Sequence, residues 1–542
     1  MKKYICILWI LAGVMSCDVL ELTPLDKISE TDTWADQALI QTYVNGSYNA
    51  IQQGYGTAMI GAAGDEVYSI FNNAGFYFAQ MGTLTSDNVT GMNSRLNQWE
   101  FAYGYLRTLN TFFEKMETAS VDDDFKSTAI GEMKFIRAYV YANLIWKYGG
   151  VPLITKVFRL NEDYAVTRNS YDECVNFIVT ELDDAISRLP ARQPDSQKGR
   201  ASADACRALK ARVLLYAASA LNNPNSDRAK WQKAADAAEA LLNAGYTLNG
   251  DYRSTFLADN NEIIFARYFT PATSHNFQWV NGRSGSNGSD EGCPTQNLVN
   301  AYEMAATGLL PYNETADGTL TLNAASGYDP NHPYEGRDPR FEATVLHDGA
   351  VWQGRETETF HGGLDSPESS VGSWNASLTA YCYRKFIDEN VPVVGAAVNQ
   401  TNPWIYFRYG EMLLNYAEAK FELGDEAAAR EYLNKVRSRP GVDMPPVTDS
   451  GDALRKRIQN ERRVELALEE HRFYDVRRWK IAMETENKPI LAINIQKLSD
   501  GSKTYEITVL TARSFGEQHY LLPIPRAEID KSLGSLVQNP GY

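Results

Sequence analysis

The stretch from Glu461 to Trp479 is the densest run of charge in the chain. Glu465 and Glu469 stand four apart, which on a helix puts two carboxylates on one face. Carboxylate pairs about 5–10 Å apart are the machinery of glycoside hydrolysis, one as acid and one as base or nucleophile. Arg462, Arg463, Arg472, Arg477 and Arg478 are interleaved with them. Arginines at that density hold both carboxylates ionised and leave no proton donor. The run is expected to be a structural ion-pair network, and the protein is expected not to be an enzyme. Other catalytic patterns are weaker still. Six histidines (His275, His332, His347, His361, His471 and His519) are scattered, with no His-Glu-x-x-His pair to hold a metal. His361-Gly362-Gly363 has the form of an oxyanion-hole loop, but no Gly-x-Ser-x-Gly elbow accompanies it. There is no phosphate-binding loop, no catalytic metal or cofactor is expected, and a structural metal supporting the loops stays open.

A second kind of chemistry is non-covalent. Aromatic residues make up 11% of the chain, and most recur at helical spacing, where a packed core explains them. A few fall instead in loop-like stretches: Phe76, Tyr77, Trp279, Trp352 and Trp374, accompanied by Asp65, Asn88, Asn276, Gln278 and Arg283. Exposed aromatics in loops suggest a binding surface. Flat rings flanked by amides, carboxylates and guanidinium groups match the apolar C–H face and hydroxyl rim of a sugar. Local loop packing is the competing reading for each of them.

The N-terminus adds a third feature. Lys2 and Lys3 precede an apolar run, Tyr4 to Val14, too short for the roughly 20 residues of a spanning helix. It reads as an export signal. Val14-Met15-Ser16-Cys17 has the form of a bacterial lipobox, so residues 1–16 are expected to be removed and Cys17 to carry the lipid. Loss of Lys2 and Lys3 takes the formal charge from −16 to −18. An acidic surface disfavours nucleic acid and leaves membrane attachment to acyl chains. No later segment approaches 18 consecutive apolar residues. With Cys6 removed, Cys174, Cys206, Cys293 and Cys382 are too few for a disulfide framework; a Cys293–Cys382 bond stays open.

The elements that position these residues read as mainly helical. Over 131–147, Phe135, Ala138, Tyr139, Ala142, Ile145 and Trp146 share a face with 3.6-residue spacing. Tyr148-Gly149-Gly150-Val151-Pro152 stops that helix. Ser202 can cap a helix with stripe Ala205, Leu209, Val213, Tyr216 and Ala220. After Asn222-Asn223-Pro224-Asn225, a partner helix presents Trp231, Ala234, Ala235, Ala238, Leu241 and Leu242. The pattern recurs at 405–438, where Tyr409, Leu413, Tyr416, Ala417 and Leu423 face Ala429, Tyr432, Leu433 and Val436 across Gly424-Asp425. Such units resemble degenerate tetratricopeptide repeats, brought together from distant stretches. Between 246 and 404 glycine, asparagine, aromatics and proline dominate and predict long irregular loops with short strands. A second loop-like stretch runs over 54–94. The expected parts are 17–245 (helix pairs and early loop), 246–404 (loop-rich) and 405–542 (helical, packed on the first as one domain).

Several segments, in order, resemble the SusD/RagB family of Bacteroidota. After the lipobox come Leu22-Thr23-Pro24-Leu25 and Thr33-Trp34, then Glu132 with Arg137-Ala138-Tyr139 leading to Tyr148-Gly149-Gly150-Val151-Pro152-Leu153. Gly199-Arg200-Ala201-Ser202 precedes Ala211-Arg212-Val213-Leu214-Leu215-Tyr216. Arg408-Tyr409-Gly410-Glu411-Met412-Leu413-Leu414-Asn415-Tyr416-Ala417-Glu418-Ala419 and Leu433-Asn434-Lys435-Val436-Arg437 follow. Glu461-Arg462-Arg463-Val464-Glu465-Leu466, Asp475-Val476-Arg477-Arg478-Trp479, Pro523-Ile524-Pro525 and Gln538-Asn539-Pro540-Gly541-Tyr542 complete the series. Gly410, where alanine is commoner, and Pro440 depart from the pattern. The resemblance implies a scaffold of four tetratricopeptide-like helix pairs under irregular loops. It also implies a surface-exposed outer-membrane lipoprotein acting as lid to a SusC-like TonB-dependent transporter. The implied cargo is usually an oligosaccharide and sometimes a peptide or glycopeptide. Ligand contacts in the family tend to come from the early and mid-chain loops, which places Trp279 and Tyr77 first among the candidates.

Overall fold

The structure is a computed structural model that describes residues 30–56, 59–71, 75–89, 95–162, 164–370, 375–393 and 400–542. The leader, Cys17 and Trp374 lie outside the described residues. The scaffold is built from α1 (Gln37–Ser47), α2 (Trp99–Met116), α3 (Asp123–Tyr148), α4 (Tyr171–Arg188), α5 (Ala203–Ala218), α6 (Arg228–Leu242), α7 (Tyr409–Glu422), α8 (Glu426–Arg437), α9 (Gly451–Glu465) and α10 (Arg472–Arg478). Each start has a local cause. Asp122 accepts from Phe125 N at 2.9 Å, Ser170 and Glu173 form a reciprocal capping box, and the Ser202 and Asp425 side chains cap α5 and α8.

The helices pack as pairs, α3 on α4, α5 on α6 and α7 on α8, and the pairs stack through α4–α5 and α6–α7. The α6 stripe from Trp231 to Leu242 is buried in full, whereas Ala220 lies past the end of α5 and is exposed. The end of α3 is finished from far along the chain. Arg168 and Asn539 both donate to Tyr148 O, at 2.6 and 3.1 Å, and Leu522 N donates to Lys147 O at 2.7 Å. These groups satisfy carbonyls that a helix end leaves without partners.

Two parts read as helical contain strands. Trp404–Arg408 is a strand that pairs antiparallel with Ile263–Arg267 and runs directly into α7. Its five residues are all buried, so apolar content without polar alternation hid its period. Ile490–Lys497 and Lys503–Thr511 form a long antiparallel hairpin. Leu491, Ile493 and Ile495 fall on one face at two-residue spacing, and Gly501 takes the turn at φ 88°. The mid-chain stretch carries further short strands: Gly292–Pro294 against Val67–Ser69 of the early loop, Tyr312–Glu314 against Leu320–Leu322, Val345–Leu346 against Cys382–Tyr383, and Val351–Trp352 against Arg355–Glu356.

The charged run is an ion-pair network, with one correction. α9 ends at Glu465, and Leu468 and Glu470 take left-handed backbone (φ 65° and 67°), so Glu469 lies in a turn rather than on the same helical face. That turn aims Glu469 back at Arg408, which grips it in bidentate fashion at 2.7 and 2.7 Å, while Lys385 Nζ donates to it at 2.7 Å. Glu465 is fully buried and accepts from Arg408 and Arg439 at 2.7 and 2.6 Å and from Arg340 at 2.9 Å. Glu262 is shared with Arg408 and Arg439 at 2.8 and 3.0 Å. Arg340 and Arg437 both reach Glu461, and Arg437 continues to Glu303 at 2.9 Å. Burial opposes ionisation of Glu465, but Arg439, Arg408 and Arg340 outweigh it and hold the carboxyl well below its usual range. Held ionised in this way, Glu465 is not a proton donor.

Substituting Glu465→Gln leaves three buried guanidinium groups short of a charge. It should cost about 3–5 kcal/mol in urea unfolding. Wild-type stability should fall with acid only as the pH drops below the ordinary glutamate value towards the depressed one, since the native pairs need the ionised form.

Candidate ligand-binding face

The early loop and the mid-chain loop meet around Tyr55. Its hydroxyl donates to Pro403 O at 2.9 Å and accepts from Asn402 Nδ2 at 2.7 Å. Its ring stacks on His275 at 4.1 Å and packs against Phe277 and Trp404, each at 5.1 Å. Gly54 is required here, because a Cβ would fall 2.0 Å from the Trp404 ring. From this anchor the short helix Phe277–Asn281 turns four residues inward. Phe277 and Val280 enter the core, Gln278 Nε2 donates to Val391 O at 2.8 Å, and Asn281 accepts from Gly292 N at 2.9 Å. The same orientation leaves Trp279 half-buried and Asn276 exposed.

The early loop is fixed beside it by the Val67–Ser69 and Gly292–Pro294 pairing. Asp65 is buried and clamped by Arg463 at 2.8 Å and Arg472 at 2.9 and 3.0 Å. In the helix Phe76–Gln80, Phe76 is buried and Tyr77 is 44% exposed, with half-buried Tyr68 close enough for their hydroxyls to interact electrostatically. Asn276 and Tyr77 are exposed and Trp279 is half-buried, on segments that adjoin the two paired strands Gly292–Pro294 and Val67–Ser69.

Among the other described candidates, Asp65, Phe76, Gln278, Arg283 and Trp352 are buried and Asn88 is half-buried. Arg283 is buried and donates to Thr357 Oγ1 at 2.9 Å and Ser286 Oγ at 2.7 Å, beside Asp365 at 3.2 Å. Asp365 in turn receives both arms of Arg355 at 2.7 Å. Trp352 is 2% exposed, under Arg253. Asn88 closes its own turn with Thr85 N and Thr83 O, each at 2.8 Å. Asp65, Phe76, Gln278, Arg283 and Trp352 are thus buried in contacts that hold the loops in shape. Cys293 and Cys382 are free and buried, and burial pushes the Cys293 thiol up to about 12.

Behind the face lie acids that sequence reading missed. Glu66 is 1% exposed, and burial followed by the charge of Asp65 raises its carboxyl to about 8. Glu291, across the same strand pair, is raised to about 7 by burial. An Asp-Glu pair in a polar loop carries no signal of such burial.

Comparison with known proteins decides the family. A sequence model of the SusD family matches residues 260–542, and another, described as starch-binding and associating with the outer membrane, matches residues 19–215. The chain belongs to the SusD family. Its relatives include SusD-like protein P2 of Formosa agariphila, 24% identical over the full length of both chains. A solved SusD-like protein of Bacteroides fragilis is 30% identical, has a TM-score of 0.79, and matches over 96% of this chain and 100% of its own. A second from that organism, described as a SusD-like carbohydrate-binding protein, is 24% identical with a TM-score of 0.76, over 93% of this chain and 99% of its own. Both SusD-like structures share the overall fold of this chain.

The raised Glu66 has a pH signature. Above the unfolded value near pH 4.3 the unfolded chain sheds a proton that the native chain keeps until about pH 8, so the acid costs stability across that window. Glu66→Gln should match wild type below it and gain stability through it, by at most about 1.4 kcal/mol per pH unit. Thermal melts across the range measure this.

Proposed function

We propose that this protein is a non-catalytic surface receptor that binds an oligosaccharide on the face carrying Trp279, Asn276 and Tyr77. It passes the sugar to a TonB-dependent outer-membrane transporter of the SusC type. The observation that carries this reading is the orientation of helix Phe277–Asn281, which spends its other side chains on the core and presents one aromatic platform and one amide outward. A platform of this kind accepts the C–H face of a pyranose while the amide meets its hydroxyls. The carbohydrate-binding relative supports the ligand class. The family description of outer-membrane association supports the location. Cys17 supplies the tether, and its acyl chains keep the receptor concentrated beside its transporter. Glu465 supports the absence of catalysis, since a carboxyl locked among three arginines cannot donate a proton.

Calorimetric titration against a panel of neutral oligosaccharides should give binding that Trp279→Ala and Tyr77→Ala each weaken by about 3- to 10-fold, the loss of one aromatic contact. Binding of peptides alone, or release of shortened sugars, overturns the reading. In cell fractionation, Cys17→Ser should move the protein from the membrane to the soluble fraction.

A further inference from the structure

A second concavity, lined by none of Trp279, Asn276 and Tyr77, lies between the C-terminal hairpin and the 312–333 stretch, with a volume of about 470 Å³. Small-ligand sites run from about 300 to 1,000 Å³. The hairpin register puts Leu491 opposite Val509 and Ile493 opposite Ile507, with Tyr505 next along the same face. These residues form one wall. The other is made by Tyr312 and Tyr328, edge to face at 5.3 Å, with Leu320, Pro330 and Pro333. We propose that this cleft is a second binding site, for a neutral sugar ring.

Its chemistry selects that occupant. The walls are tyrosine rings and aliphatic carbon, which suit the C–H face of a pyranose. The half-buried Tyr312 and Tyr505 offer phenol hydroxyls at the rim, and the hydroxyl of buried Tyr328 sits beside that of Tyr312. Burial raises Tyr328 and Tyr505 further above neutrality, so both remain protonated. Among the lining residues only Glu506 is charged at neutral pH. It alternates with Tyr505 and Ile507 along the strand, so its carboxylate leaves on the opposite face. Nothing in the lining holds an anionic sugar. Val509 stands 64% exposed, an apolar rim that a ligand would cover. None of the lining residues belongs to the segments carrying Trp279 and Tyr77. Two weak sites on one chain would hold a long glycan by effective concentration rather than by a deeper pocket.

Saturation-transfer NMR on the mature protein, with maltose, cellobiose and laminaribiose as probes, tests this. Trp279→Ala should retain transfer to the sugar C–H protons. Adding Tyr505→Ser or Val509→Glu should cut it by about 3- to 10-fold. Both positions reach solvent, and unchanged melting temperatures confirm folding. No transfer in Trp279→Ala, or transfer indifferent to both hairpin substitutions, overturns the second site and leaves the first standing. Loss of all transfer in the hairpin variants on a wild-type background supports the second site and removes the first instead. Binding of an apolar peptide in the cleft without any sugar also overturns the proposal.

Discussion

The fully buried carboxylate of Glu465 is the point on which the architecture turns. It draws Arg408 from the strand before α7, Arg439 from just beyond α8 and Arg340 from the mid-chain stretch onto the end of α9. Glu262 answers two of the same arginines from the start of another strand. Charges buried this deeply are tolerable only when every partner is in place. The network therefore ties the irregular half of the molecule to the stacked helices in a fixed relation. Gly410 belongs to this design, since a Cβ there would stand 2.5 Å from Arg408 Nη1.

From that hub the loops inherit their stiffness. Asp65 hangs the early loop on Arg463 and Arg472 at the edge of the same charge cluster. Asn402 and His275 hold the mid-chain loop on Tyr55. A receptor that binds through loops must have them ordered in advance, or the ordering entropy is subtracted from affinity. Arg283 and Asp365 serve that end, joining segments 82 residues apart without touching solvent.

The helix pairs were readable because their stripes recur at helical spacing with caps at their starts; Ser202 and the Trp231 to Leu242 stripe are clear cases. The C-terminal hairpin is legible in the alternation of Leu491, Ile493 and Ile495 before Asp500-Gly501, although a strong helical pattern precedes it. Trp404–Arg408 is not, since a strand buried on both faces loses its period of two. In the site, residue type alone could not separate Trp279 from Trp352, or Asn276 from Arg283. Which of them faces water is decided by contacts such as Arg283 with Thr357 and Asp365, made across distances in the chain that no local pattern records.

The end of α3 carries a consequence for how the molecule is made. Its last carbonyls are closed by Leu522 and Asn539, nearly four hundred residues downstream. In a chain emerging N-terminus first, Arg168 is soon available to Tyr148 O, but Lys147 O waits for Leu522 until almost everything else has been synthesised. Complete closure of this helix end is therefore a late event.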